Sequence, residues 1–189
     1  YFGFGSNLWK QQMSLRCPTS PFTGIGRLCG YKWFINGRGY ANIAPITTAS
    51  PDSEDEVWGL VYDLSPADEA RLDINEGVPF AYEKRHIPVE FWPDGTGADG
   101  IPEKGKGQVV DMLVYIDFKR SQPGHRPRAE YVHRMNMGIR DALREGVPQA
   151  YVERVLRPYI PADAELDAEA VDLAKRQAAG FRDDSGVIP

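Results

Sequence analysis

The sequence predicts an α+β protein: a small mixed or antiparallel β-barrel of about six short strands, with helices flanking it. Three observations carry this. Short apolar, β-branched and aromatic runs, broken by Gly, Pro and Asp, fill the chain as far as Phe118. From Ala129 onward the apolar residues recur at helical spacing. Strands come first and helices later, without the regular alternation of a doubly wound sheet.

Tyr1–Phe4 reads as a short strand that stops at Gly5, and Asn7–Leu15 as a short helix ended by Pro18. Strands are predicted in Thr23–Ile35, Ala41–Ala49 and Glu56–Leu64. A well-marked helix follows. Ser65 is a natural N-cap, Pro66 suits the first turn, Asp68 complements the positive helix end, and Gly77 can close it left-handed. Tyr82–Phe91 and Gln108–Phe118 read as strands around Pro93–Gly107, a stretch too rich in Gly and Pro for regular structure. Ala129–Glu145 carries Tyr131, Met135, Ile139 and Leu143 at helical spacing, and Gly146 stops it. Pro148 opens a short helix with Val152, Val155 and Leu156, and Ala164–Ala179 is an Ala- and Glu-rich helix. One domain over residues 1–189 is expected, with residues 162–189 as a helical C-terminal extension.

Composition narrows the function. With 22 Lys and Arg against 27 Asp and Glu, the formal net charge is -5, which argues against a nucleic-acid binder. No apolar run approaches the length of a membrane span. The first residues lack the basic and long apolar regions of a signal peptide, so a cytoplasmic location is expected. Cys17 and Cys29 fit no metal-ligand spacing and are expected as reduced thiols. His86, His125 and His133 are scattered and suggest no ligand set, so neither metal nor cofactor is expected.

Two segments can carry chemistry. In Gly3-Phe4-Gly5-Ser6-Asn7-Leu8 a strand runs through glycines into a helix start. Backbone N–H groups left unpaired there would favour a carboxylate or phosphate. It is not a dinucleotide fingerprint, since the third glycine is missing, nor a Walker loop, since no Gly-Lys-Ser/Thr follows. The alternative is a plain strand-to-helix turn capped by Ser6 or Asn7. In Asp73-Ile74-Asn75-Glu76-Gly77, Glu76 ends its helix, where the negative dipole end disfavours ionisation. Partial desolvation would raise its pKa toward that of a general base. The alternative is a solvated helix-end carboxylate.

Tyr1-Phe2-Gly3-Phe4-Gly5-Ser6-Asn7-Leu8 resembles the Tyr-Gly-Ser-Asn signature of the γ-glutamylcyclotransferase family. The likeness continues through Leu15-Arg16-Cys17-Pro18, Asp55-Glu56-Val57-Trp58-Gly59 and Leu72-Asp73-Ile74-Asn75-Glu76-Gly77-Val78. It implies the family's barrel-like fold and cleavage of a γ-glutamyl amide by cyclisation to 5-oxoproline. It implies Glu76 as the catalytic carboxylate and Tyr1, Phe2, Gly3, Phe4, Gly5, Ser6 and Asn7 as the substrate loop. Tyr131 matches a substrate-contacting Tyr near the start of a late helix, and is otherwise a core aromatic of that helix. Phe4 stands where the family usually has Tyr, and the chain after Pro161 lies largely outside the likeness. Asn7 after Ser6 points to the γ-glutamyl amino-acid branch.

The implied partner is a small γ-glutamyl compound, bound by a monomer or homodimer without nucleic acid or membrane. Three alternatives stand beside this reading. They are the same chemistry on a γ-glutamylated or glutathione-conjugated intermediate of secondary metabolism, a non-catalytic γ-glutamyl or carboxylate-binding module, and an amidohydrolase built on Cys17 or Cys29. Pro93–Gly107 and Lys119–Arg128 are candidate walls for the leaving group, or else ordinary solvated loops.

Overall fold

A computed structural model describes residues 1–46, 55–94, 102–162, 168–182 and 187. Its centre is a five-stranded sheet in the order β1-β5-β2-β6-β7. The strands are β1 (Phe2–Gly3), β2 (Phe22–Cys29), β5 (Glu56–Tyr62), β6 (Glu83–Pro93) and β7 (Gln108–Ile116). Every pairing is antiparallel. The sheet curls until its edges β1 and β7 come into contact, forming a half-barrel flanked by helices. β3 (Tyr31–Ile35) and β4 (Ala41–Pro45) form a separate antiparallel hairpin. The expected single run Thr23–Ile35 is therefore two strands. Gly30, with φ of 74°, turns the chain between sheet and hairpin, a conformation open to glycine but strained for other residues.

The expected helix Asn7–Leu15 is also divided. A single 3₁₀ turn spans Ser6–Leu8, and α1 covers Lys10–Arg16. Asp141 accepts the Lys10 N–H at 3.0 Å, so α3 (Ala129–Arg144) caps α1. α2 (Pro66–Glu76) has the predicted ends. The Ser65 hydroxyl accepts from the Asp68 N–H, and Gly77 has φ of 64°. Gly77 N–H and Val78 N–H close the last turn onto Ile74 and Asp73 carbonyls.

Asp73 then fixes that helix end to the sheet. One carboxylate oxygen accepts from Tyr115 Oη at 2.7 Å and the other from Lys84 Nζ at 2.8 Å. α4 (Gln149–Tyr151) runs into a wide turn over Val152–Leu156. The Ala- and Glu-rich segment forms α5 (Ala168–Ala179), which packs on α1 and α3.

One apolar core runs through the half-barrel and beneath the helices, from Phe2, Ile25 and Trp58 to Met135, Ile139 and Val152. Gly59 lets β1 cross β5 closely, since a Cβ there would lie 2.4 Å from the Gly3 carbonyl oxygen. Cys17 is buried, Cys29 is exposed, and both are free thiols.

Candidate active site

Glu76, at the end of α2, opens into a cavity whose other walls come from far along the chain. The lining includes Tyr1, Phe4, Gly5, Ser6 and Asn7 from the N-terminal segment, Arg16 from α1, and Arg38 and Tyr40 from the β3–β4 hairpin. Ala41, Asn75, Tyr82, Tyr115, Tyr131, Arg134 and Phe181 complete it.

The N-terminal loop is held rigid by bonds to its carbonyls. Trp33 Nε1 donates to Phe4 O at 3.1 Å, and Tyr62 Oη donates to Asn7 O at 3.2 Å. Leu8 and Trp9 N–H groups return to Gly5 and Ser6 carbonyls. Ser6 N–H, expected to stand bare for an anion, donates instead to Tyr131 Oη at 3.2 Å. Ala41 N–H donates to the same oxygen at 3.2 Å. A hydroxyl has two acceptor lone pairs and one hydrogen, so Tyr131 retains its own O–H to donate into the cavity. Burial pushes its pKa up to about 12, which keeps that proton in place. The 3₁₀ turn of Ser6–Leu8 is too short for an appreciable dipole. Positive charge near the loop comes from arginine instead.

Arg134 is fully buried and held by Glu130 through two bonds of 2.8 and 3.1 Å. Its Nη1 donates to Ser6 Oγ at 3.1 Å. Buried Arg16 donates to Asn7 Oδ1 at 3.3 Å and to the carbonyls of Gln177 and Ala178, which end α5. Burial and then the charge of Arg134 lower its pKa to about 10, still fully charged at neutral pH. Arg38 lies over the rings of Tyr40 and Tyr82.

Glu76 Oε1 accepts from Asn7 Nδ2 at 3.1 Å, and the same amide donates to Tyr1 Oη at 2.8 Å. Burial raises the Glu76 pKa above the ordinary carboxylate value, and Arg16, Arg38, the Asn7 bond and Arg134 oppose that rise. The outcome is a carboxyl that holds a proton more readily than an ordinary carboxylate does, as a proton carrier requires.

The structure thus brings together Tyr1, Phe4, Gly5, Ser6, Asn7, Glu76 and Tyr131. Phe2 and Gly3 are not among the lining residues. They pair with Val61 and Leu60 in the sheet, and the Phe2 ring is wholly in the core. Phe4 lines the cavity, belongs also to the apolar core, and brings no hydroxyl. The described parts of Pro93–Gly107 and Lys119–Arg128 do not line the cavity. Arg128 instead braces the hairpin from behind, donating through Nε to Arg38 O.

Arg16, Arg38, Tyr40, Tyr82, Tyr115, Arg134 and Phe181 were not singled out for the site. A signal existed for Arg134, which lies three residues after Tyr131 on the same helix face. Phe181 belongs to the C-terminal extension, which therefore supplies part of the wall.

No described helix is long and apolar enough to cross a membrane. Residues 56–155 match the AIG2-like family. The chain is 33% identical to gamma-glutamylcyclotransferase of Bos taurus over 185 residues, covering 95% of this chain and 89% of that protein. It is 35% identical to gamma-glutamylcyclotransferase of Homo sapiens over 182 residues, covering 93% and 87%. A crystal structure of an uncharacterized Homo sapiens protein superposes with a TM-score of 0.66 at 26% identity, over 93% of this chain and 96% of that one. A structure named gamma-glutamyl cyclotransferase superposes with a TM-score of 0.65 over 93% and 97%, and at 24% identity that likeness shows the fold. Relatives matched at this identity over most of both lengths establish that the chain belongs to the γ-glutamylcyclotransferase family and is an enzyme.

Proposed function

We propose that this enzyme converts a γ-glutamyl amide into 5-oxoproline and a free amine, with Glu76 as the proton carrier. Glu76 takes a proton from the substrate's α-ammonium. The freed amine attacks the γ-carbonyl carbon, a ring C–N bond forms, and the negative charge passes to the carbonyl oxygen. As that intermediate collapses, the amide C–N bond breaks, Glu76 returns the proton to the departing nitrogen, and the second proton of the ring nitrogen passes through Glu76 to the released amine, which leaves as an ammonium. The attack is intramolecular, so holding the glutamyl chain folded lowers the barrier without a protein nucleophile. The Tyr131 O–H is the donor for the oxyanion or the α-carboxylate, backed by Arg134 through Ser6.

The observation that carries this reading is the hydrogen bond from Asn7 to Glu76, which joins the signature loop to a carboxyl of raised pKa inside one cavity. The test is mass spectrometry of products from a panel of γ-glutamyl compounds. 5-Oxoproline supports the reading, and free glutamate with no 5-oxoproline rejects it.

A γ-glutamyl amino acid is the proposed substrate, from Asn7 following Ser6. One observation favours a second reading, a bulky conjugated γ-glutamyl-cysteine compound. Aromatic rings make up much of the wall: Tyr1, Phe4, Tyr40, Tyr82, Tyr115, Tyr131 and Phe181. Competition between S-substituted γ-Glu-Cys and γ-Glu-Ala separates the two, according to which has the higher kcat/KM.

A further inference from the structure

Gln12 has no exposed surface and does not line the cavity, yet it stands at the middle of a hydrogen-bond chain that ends on Glu76. Arg134, gripped by Glu130, donates from Nη1 to Gln12 Oε1 at 3.4 Å. Gln12 Nε2 donates to Asn7 Oδ1 at 2.7 Å and to Ser6 Oγ at 3.1 Å. Asn7 Nδ2 donates to Glu76 Oε1 at 3.1 Å. The chain links α3, α1, the 3₁₀ turn and α2.

Its direction follows from the first member. A side-chain amide can present either end to a neighbour, but a guanidinium only donates. Arg134 must therefore face the Gln12 oxygen, which turns the Gln12 NH₂ toward Asn7. That in turn holds the Asn7 oxygen inward and its NH₂ toward Glu76. Arg16 acts in the same sense, donating to Asn7 Oδ1 at 3.3 Å. We propose that Gln12 is a positioning residue that locks the polarity of the Asn7 amide, so that Asn7 donates to Glu76 Oε1 and leaves Oε2 for the travelling proton. Among the described residues, Oε2 accepts no hydrogen bond. This rests on the proposed role of Glu76 as proton carrier.

Other groups also act on Glu76. Arg16 and Cys17 face it from α1, Arg38 from the hairpin, and Tyr131 and Arg134 from α3. Tyr1, Tyr82 and Tyr115 face it from the sheet side. Substituting Gln12 removes one bond of Arg134, which Glu130 and Ser6 still hold. Gln12→Glu also adds a charge, so the uncharged Gln12→Leu is the variant that isolates the amide chain.

The test is the pH profile of kcat/KM for γ-Glu-Ala in Gln12→Glu and Gln12→Leu. In Gln12→Glu, a carboxylate faces Asn7. The Asn7 amide must reverse to donate to it, which points the Asn7 oxygen at Glu76. Loss of a hydrogen bond to the ionised form moves the acid limb to higher pH by about one unit, so kcat/KM at a pH on that limb falls by about tenfold. Gln12→Leu retains the Arg16 bond to Asn7 and gives a smaller displacement in the same direction.

A folded Gln12→Glu protein whose acid limb does not move overturns the proposal, even if kcat falls. If Gln12→Glu does not fold, Gln12→Leu and a measurement on the wild type decide. The side-chain amide protons of Asn7, followed by NMR, should titrate together with the Glu76 carboxyl, and amide protons that do not respond overturn the proposal. The NMR reading needs no turnover. Coupled titration without 5-oxoproline from any γ-glutamyl compound rejects the proposed function alone, and turnover with an unmoved acid limb rejects the role of Gln12 alone.

Discussion

The Arg16 guanidinium and the carbonyl of Ala178 lie 162 positions apart in the chain and are joined by a hydrogen bond of 3.1 Å. Arg16 also donates to Gln177 O at 2.6 Å, so one cavity residue caps the end of α5. Two residues beyond α5, Phe181 packs edge-on to Tyr40 at 5.3 Å between ring centres, and its N–H donates to Asn75, the neighbour of Glu76. The C-terminal helix is thereby tied to both sides of the site.

Replacing Arg16 with Met should release that helix. The lost bonds join a charged donor to buried carbonyls, so the expected loss of stability is about 2–3 kcal/mol. Limited proteolysis should cut between α4 and α5 sooner than in the wild type, and KM should rise. Unchanged proteolysis and KM would show that α5 docks independently of Arg16.

Glu76→Gln should retain the fold and lose nearly all turnover, a fall of about 10²–10⁴-fold in kcat, because Gln preserves the shape but cannot carry a proton. Steady-state kinetics with circular dichroism as a control will check this. Turnover within about threefold of wild type would remove Glu76 from the mechanism, since it lies far below the usual worth of a general base.

The same substitution makes a prediction about pH and stability. Burial raises the folded-state pKa of Glu76 above its ordinary value of 4.5, so ionisation opposes folding. The stability tied to the protonated form is fully present below about pH 4.5 and is lost as pH rises through the raised folded pKa. Glu76→Gln, which resembles the protonated form, should show little advantage over wild type in the acid range and gain relative to it as pH rises. Denaturant titrations at several pH values will show whether the difference grows in that direction.

Gly5 faces Tyr131 so closely that a Cβ there would lie 2.9 Å from Tyr131 Oη and 3.2 Å from Ala41 Cβ. Gly5→Val should displace the Tyr131 hydroxyl from the Ser6 and Ala41 N–H groups, with a large fall in kcat/KM and a small loss of stability. Normal kinetics from Gly5→Val would show that Tyr131 Oη is not needed where it stands.

Gly138 serves the same loop from α3. A Cβ there would meet Leu8 Cβ at 2.8 Å and the Trp9 backbone nitrogen at 2.9 Å. Gly138→Ala must push α3 away from the 3₁₀ turn, and overpacking of this kind costs about 1–3 kcal/mol. Chemical denaturation should register the loss, and activity should fall with it because Asn7 sits on the displaced turn.

Local signals were legible without coordinates, and they positioned the main carboxyl. Ser65, Pro66 and Gly77 bound α2 through contacts a few residues apart, so the helix-end placement of Glu76 could be read directly. The helical spacing of Tyr131, Met135 and Ile139 likewise marked the buried face of α3. Pairing at long range was not legible. The entry of Phe2 and Gly3 into the sheet depends on β5, whose residues lie almost sixty positions later. The meeting of Arg16, Arg38, Arg134 and Phe181 depends on how the hairpin, α3 and α5 pack around the half-barrel. Capping and periodicity are decided by the energetics of neighbouring residues, and a sequence displays them. Which distant side chains share a cavity, and which way a buried amide such as Asn7 must point, is decided by sheet register and helix docking, where many weak contacts act together.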